Sequence, residues 1–133
     1  MNNKDELLSI ARTLTVRVHE PFAQALQASV EESEFDISLL DCYRFAGHAC
    51  QSITGAFLST AEAVNQLFPE SNVCERGDFI VEFGSELNER ATGPRSNIVS
   101  FITGSWGETG FPGLHGKFER KNLVSYGQKD IEK

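Results

Sequence analysis

Apolar residues recur at Leu7, Leu8, Ile10, Ala11, Leu14, Val18, Phe22, Ala25, Leu26 and Val30. That is close to the three-and-four spacing that lays one stripe along a helix, so a helix is expected over about 5–29. Pro21 interrupts it, because proline removes a helical hydrogen bond and clashes with the preceding turn. A kink, or two helices meeting near His19–Pro21, is therefore expected, with His19 a surface or packing histidine. Glu31–Phe35 is polar punctuation. Over Asp36–Phe45 a short helix anchored by Leu39, Leu40, Tyr43 and Phe45 competes with a short strand. Asp36 or Ser38 could cap that helix, since a side-chain oxygen there accepts from free backbone N–H groups. Ala46–Gly47 breaks the segment. From about Cys50 to Leu67 the helical period returns through Ile53, Ala56, Phe57, Ala61 and Val64, and Pro69 stops it.

From Gly77 the period changes to two. Phe79, Val81 and Phe83 alternate with Asp78, Ile80 and Glu82, which predicts a half-buried strand. Glu86–Arg95 reads as a polar connection with a Gly-Pro turn. Asn97–Thr103 (NIVSFIT) is apolar on both faces and predicts a central strand. Lys117–Tyr126 predicts one or two further strands around Asn122, and the tail from Gln128 is expected to fray. Helical patterns fill about 5–68 and strand patterns about 77–127. The order favours a single α+β domain over 1–133, with helices packed on one face of a mainly antiparallel sheet.

The chain has 133 residues, 40% hydrophobic and 23% charged, which suits one globular domain with a real core. Its formal net charge is -7. No Lys/Arg stripe appears, so nucleic acid is not an expected partner. No apolar run reaches the ~18 residues of a membrane span, and MNNKDELLSIA does not read as a signal peptide. Three cysteines without CxxC spacing argue for a reducing, cytoplasmic setting. Cys42 and Cys74 fit small buried hydrophobes.

Cys50 differs because of its neighbours. Gly47, His48 and Cys50 fall within four positions, just before a predicted helix. His and Cys are good ligands for a borderline-soft metal such as zinc, and both can also do acid–base or nucleophilic chemistry. Residues at i and i+2 do not share a helix face, so the pair can chelate only if Gly47–Cys50 is non-helical. A metal-free thiol site is the alternative, with Cys50 at a helix N-terminus and His48 as its base.

Glycine falls at 104, 107, 110, 113 and 116, every third residue. There is no GxxxxGK[ST], and five triplets with bulky intervening residues do not make a collagen helix. A tight connection with positive φ at several positions is expected. Trp106, Phe111 and Leu114 are apolar residues on this loop, and Trp106 and Phe111 are candidates for lining a small-molecule pocket or a dimer face. Glu108 and His115 are metal-competent groups on the same segment.

The stretch LLDCYRFAGHACQSITGAFL resembles the signature of the FmdE-like family, whose members are related to one component of formylmethanofuran dehydrogenase. There a short capped segment leads into His-Gly-His-x-Cys-Pro-Gly and then a helix. RGDFIVEF, NIVSFITG and ETGFPGLHGKFERKNL look like later blocks of a shortened branch of that family, so the resemblance covers about Asp36 to Tyr126. It implies an α-β-α-β-β-β core and a metal centre, zinc by preference, at the His-x-Cys turn. His48 matches the second His of the motif and Cys50 its Cys. Ala46 stands where the first His would be, and Gln51-Ser52 replaces Pro-Gly. One ligand is therefore missing, and Glu108, His115, Asp41, water or a second copy of the chain would have to complete the shell. Expected partners are that second copy, in a homodimer, and a small-molecule ligand. No reaction can be named, since no Ser-His-Asp set, useful carboxylate pair or nucleotide fingerprint is present.

Overall fold

The computed structural model describes residues 3–29 and 32–128. Val30, the last position of the first stripe, and the tail after Gln128 lie outside them. The class is α+β: five helices, a three-stranded sheet and a two-stranded one among the described residues.

The main sheet has the order β2–β1–β3, with β1 (Thr15–His19) in the middle. β1 pairs antiparallel with β2 (Glu34–Ser38) and parallel with β3 (Val73–Glu75). The sheet is thus mixed, not mainly antiparallel. Register sets Ile37 opposite Val16 and Cys74 opposite Val18, and all four are buried. The other face is wet: Arg17 stands opposite Asp36 and reaches it at 3.3 Å, and reaches Glu34 at 3.0 Å.

The single kinked helix expected over 5–29 is instead α1 (Asn3–Thr13), then β1, then α2 (Pro21–Leu26). Thr15-Val16-Arg17-Val18-His19 alternates with β-branched residues, and the period of two wins over the longer spacing. Pro21 opens α2, where its missing N–H costs nothing. Glu20 caps that helix by accepting from Phe22 N at 3.1 Å.

Both readings of Asp36–Phe45 hold in part, because β2 runs directly into α3 (Leu39–Ala46). Ser38, not Asp36, is the cap. Ser38 Oγ accepts from Asp41 N at 3.0 Å and Asp41 Oδ2 accepts from Ser38 N at 2.9 Å, a reciprocal capping box. Gly47 closes α3 in the left-handed conformation at φ 89°. α4 (Gln51–Leu67) follows the predicted bounds and buries Ile53, Ala56, Phe57, Thr60 and Val64.

The strand expected at Asn97–Thr103 is the second half of a helix, α5 (Thr92–Thr103). It packs on α4 and α3 and reaches β1, so apolar residues on both of its sides are covered. Two of its buried hydroxyls are satisfied within the helix, Ser96 Oγ donating to Gly93 O and Thr103 Oγ1 to Val99 O, while Thr92 Oγ1 pairs with Ser85 Oγ at 2.6 Å. Gly104 ends it with φ 70°. The strands expected over 77–83 and 117–126 shrink to β4 (Val81–Glu82) and β5 (Val124–Ser125), which pair parallel. Helices and strands therefore interleave, in place of the α-β-α-β-β-β order that the resemblance implied.

Candidate functional site

The His48–Cys50 turn joins α3 to α4. Gly47 is left-handed, and Cys50 is the extended N-cap of α4 with no side-chain capping bond. The turn is therefore non-helical, as chelation by residues two apart requires. His48 is exposed and Cys50 half-buried. His48 Nδ1 lies 3.3 Å from the carbonyl oxygen of Ala46. A carbonyl only accepts, so Nδ1 is the donor and Nε2 carries the lone pair of the neutral ring.

The other expected ligands do not gather here. Among the described residues no group of three or more His, Cys, Asp and Glu side chains could hold a metal ion. Asp41 is engaged in the capping box of α3. His115, at φ 53°, and Glu108 are exposed on the glycine-rich loop. That loop turns through positive φ at Gly104, Gly113 and Gly116, as its composition predicts. It folds back on the chain end: Trp106 N donates to Arg120 O at 2.8 Å, and Leu123 N donates to Trp106 O at 2.8 Å. Phe111 stacks on Phe22 at 5.1 Å between ring centres, and Phe118 stacks on Phe22 at 4.9 Å. These contacts clamp the loop to α2.

A second constellation lies where β1 and β3 end side by side. Parallel strands present the residues after their carboxyl ends to a common crevice. Here these residues are Glu20 from β1 and Arg76-Gly77 from β3. Glu20 Oε1 accepts from Arg76 Nε at 3.0 Å, and its Oε2 accepts from Arg120 Nη2 at 2.5 Å. Arg76 Nη1 also donates to the carbonyls of Phe101 and Ile102 at 2.6 and 2.9 Å. A cation on the last turn of α5 both satisfies its free carbonyls and offsets its dipole. Arg120 is 7% exposed, and its Nε is the one buried side-chain polar atom without a partner among the described residues. Gly77 makes room for it: a Cβ there would stand 2.8 Å from Arg120 Nε, and the φ of 88° disfavours any side chain.

An open cleft of about 450 Å³ lies against this triad, with Phe118 and Leu123 as apolar wall and Asp78 and Glu119 among its lining. Neither Trp106 nor Phe111 lines it. At its edge His19 Nδ1 sits 2.7 and 2.9 Å from the two carboxylate oxygens of Glu75, and Nε2 sits 3.1 Å from Gln24 Oε1. Burial lowers the affinity of this ring for a proton, but the Glu75 and Gln24 contacts outweigh it and hold its pKa above the ordinary 6.5.

Sequence reading missed this cluster and assigned His19 to the surface or to packing. The local signals were an acid before Pro21 and Arg-Gly before the Phe79 segment. Nothing in one sequence joins positions 20, 76 and 120. Compared with protein-family models, curated proteins and solved structures, the chain matches none.

Proposed function

We propose that this chain is a metal-binding domain that holds zinc, or another divalent transition metal, at the Gly47-His48-Ala49-Cys50 turn. The observation that carries the reading is the pose of His48. Its Nδ1 is engaged by the Ala46 carbonyl and its Nε2 is left as the lone-pair nitrogen. Metal-bound histidines characteristically donate their other ring N–H to a carbonyl or carboxylate. Cys50, two residues on at an extended N-cap, offers sulfur as the second donor. The donor set suits zinc, which takes nitrogen and sulfur in a tetrahedral shell. Two protein donors leave two positions for water or for the turn of a second copy. A cytoplasmic homodimer belongs to the same proposal: the three cysteines are free thiols, and Phe45, beside the turn, is 49% exposed.

The test is elemental analysis of untagged protein, wild type and the His48→Ala and Cys50→Ala variants. The expected result is a transition metal in the wild type and loss of it in both variants. A metal-free wild type after incubation with zinc and removal of the excess overturns the proposal. Sedimentation as a monomer at tens of micromolar overturns the dimer.

A further inference from the structure

The cleft at the carboxyl ends of β1 and β3 is lined by charged groups of both signs. Arg76 and Arg120 line it and share one carboxylate, Glu20, so two guanidinium groups face a single anion; Glu75, also in the lining, is engaged by His19 at 2.7 Å. Asp78 and Glu119, in the same lining, are exposed and have no ion pair among the described residues. The volume of about 450 Å³ falls within the ~300–1,000 Å³ of small-molecule sites.

We propose that this cleft binds a free α-amino acid, with its carboxylate held by Arg76 and Arg120 and its ammonium by Asp78 and Glu119. The guanidinium groups are ready to act. Glu20 fixes both, and the α5 carbonyls fix Arg76 again, so little ordering is left for a ligand to bring about. Arg76 Nη2 has no protein partner among the described residues, and Arg120 Nε is buried and unpartnered. Arginine's fixed fork of donors matches a carboxylate better than a point charge does. A simple anion would meet Asp78 and Glu119, and a simple cation would meet the guanidinium groups of Arg76 and Arg120. A zwitterion satisfies groups of both signs, and Phe118 with Leu123 gives its side chain an apolar wall.

The test is calorimetric titration of the full chain with a panel of free L-amino acids. The tightest binder is then compared with its C-terminal amide and its deaminated acid. Saturable binding by at least one amino acid is expected. Loss of either charged end should weaken it at least about tenfold, since a charge-assisted hydrogen bond is at stake in each case. The Asp78→Asn/Glu119→Gln double variant, altered only at exposed positions, should show a similar loss with an unchanged circular dichroism spectrum. The proposal is overturned if no amino acid binds at millimolar concentration. It is equally overturned if the amide or the deaminated acid binds as tightly as the parent, or if the double variant binds like the wild type.

Discussion

Glu20 and Arg120 stand 100 positions apart and form one ion pair, Arg120 Nη2 donating to Glu20 Oε2. The same carboxylate accepts from Arg76 at 3.0 Å, so a single residue ties the end of β1 to the end of β3 and to the segment before β5. These side chains are only 9–20% exposed. Removing one member of a buried charge set leaves the others desolvated and unpaired, which costs about 3–5 kcal/mol. Glu20→Gln should therefore lower stability by about 3 kcal/mol or more, read as a shift of the urea midpoint at unchanged slope. A shift equivalent to less than about 1 kcal/mol would show that the triad behaves like a surface pair.

The capping of α3 gives a sharper comparison, because the sequence leaves two candidates. Ser38 makes both bonds of the box with Asp41, while Asp36 faces Arg17 across the sheet in the open. Ser38→Ala should cost about 1 kcal/mol, as losing a helix cap does. Asp36→Ala should stay within about 0.5 kcal/mol, as for an exposed ion pair. Thermal unfolding of the two variants checks the order. A larger loss at Asp36 would reverse the assignment of the cap.

Elements bounded by strong local signals were legible. α4 lies between Gly47 and Pro69, and both act as stops whatever surrounds them. β1 was not legible, because Leu14, Val18 and Phe22 are four apart and fit a helical stripe, while Val16 and Val18 fit an alternation. Only the partners on both sides, Ile37 and Cys74, decide between them. α5 reads as a strand because Asn97–Thr103 is β-branched and apolar on every side. Its helical signals were the Ser96, Ser100 and Thr103 hydroxyls three or four apart and Gly104 at the end. Local residues predicted the shape of the His48–Cys50 turn. The Glu20–Arg76–Arg120 cluster joins distant segments and leaves no periodic trace.

His19 gives the stability curve a direction. Burial opposes its charged form, but the Glu75 carboxylate and Gln24 outweigh this and raise its pKa above 6.5. A group whose pKa is higher in the folded chain stabilises the fold when protonated. That stabilisation is complete below the unfolded value and disappears as pH rises through the folded one. The stability advantage of wild type over His19→Gln should thus be greatest below the ordinary 6.5 and shrink as pH rises above it. Urea unfolding of both proteins on either side of that value tests it. An advantage that grows with pH would mean that His19 is held neutral.

The three thiols should separate into two kinetic classes. Cys42 and Cys74 have no exposed surface. Burial drives the Cys42 thiol pKa to about 12, with Asp41 adding to the effect. Burial drives that of Cys74 to about 12 as well, against the pull of Arg76. Only the thiolate attacks an alkylator, so at pH 8 on the order of one part in 10⁴ of each buried thiol is in the reactive form. Cys50 is half-buried at the turn and within reach of solvent. Native protein should titrate one thiol quickly with a chromogenic disulfide, and the two others only in denaturant. Cys50→Ser should abolish the fast phase. Two fast thiols in the native state would mean that α3 or β3 opens locally on the timescale of the assay. Because the fast phase belongs to Cys50 alone, adding zinc gives a direct comparison. Protection of that phase places sulfur on the metal, whereas unchanged reactivity in zinc-loaded protein makes Cys50 a free thiol and moves the metal elsewhere.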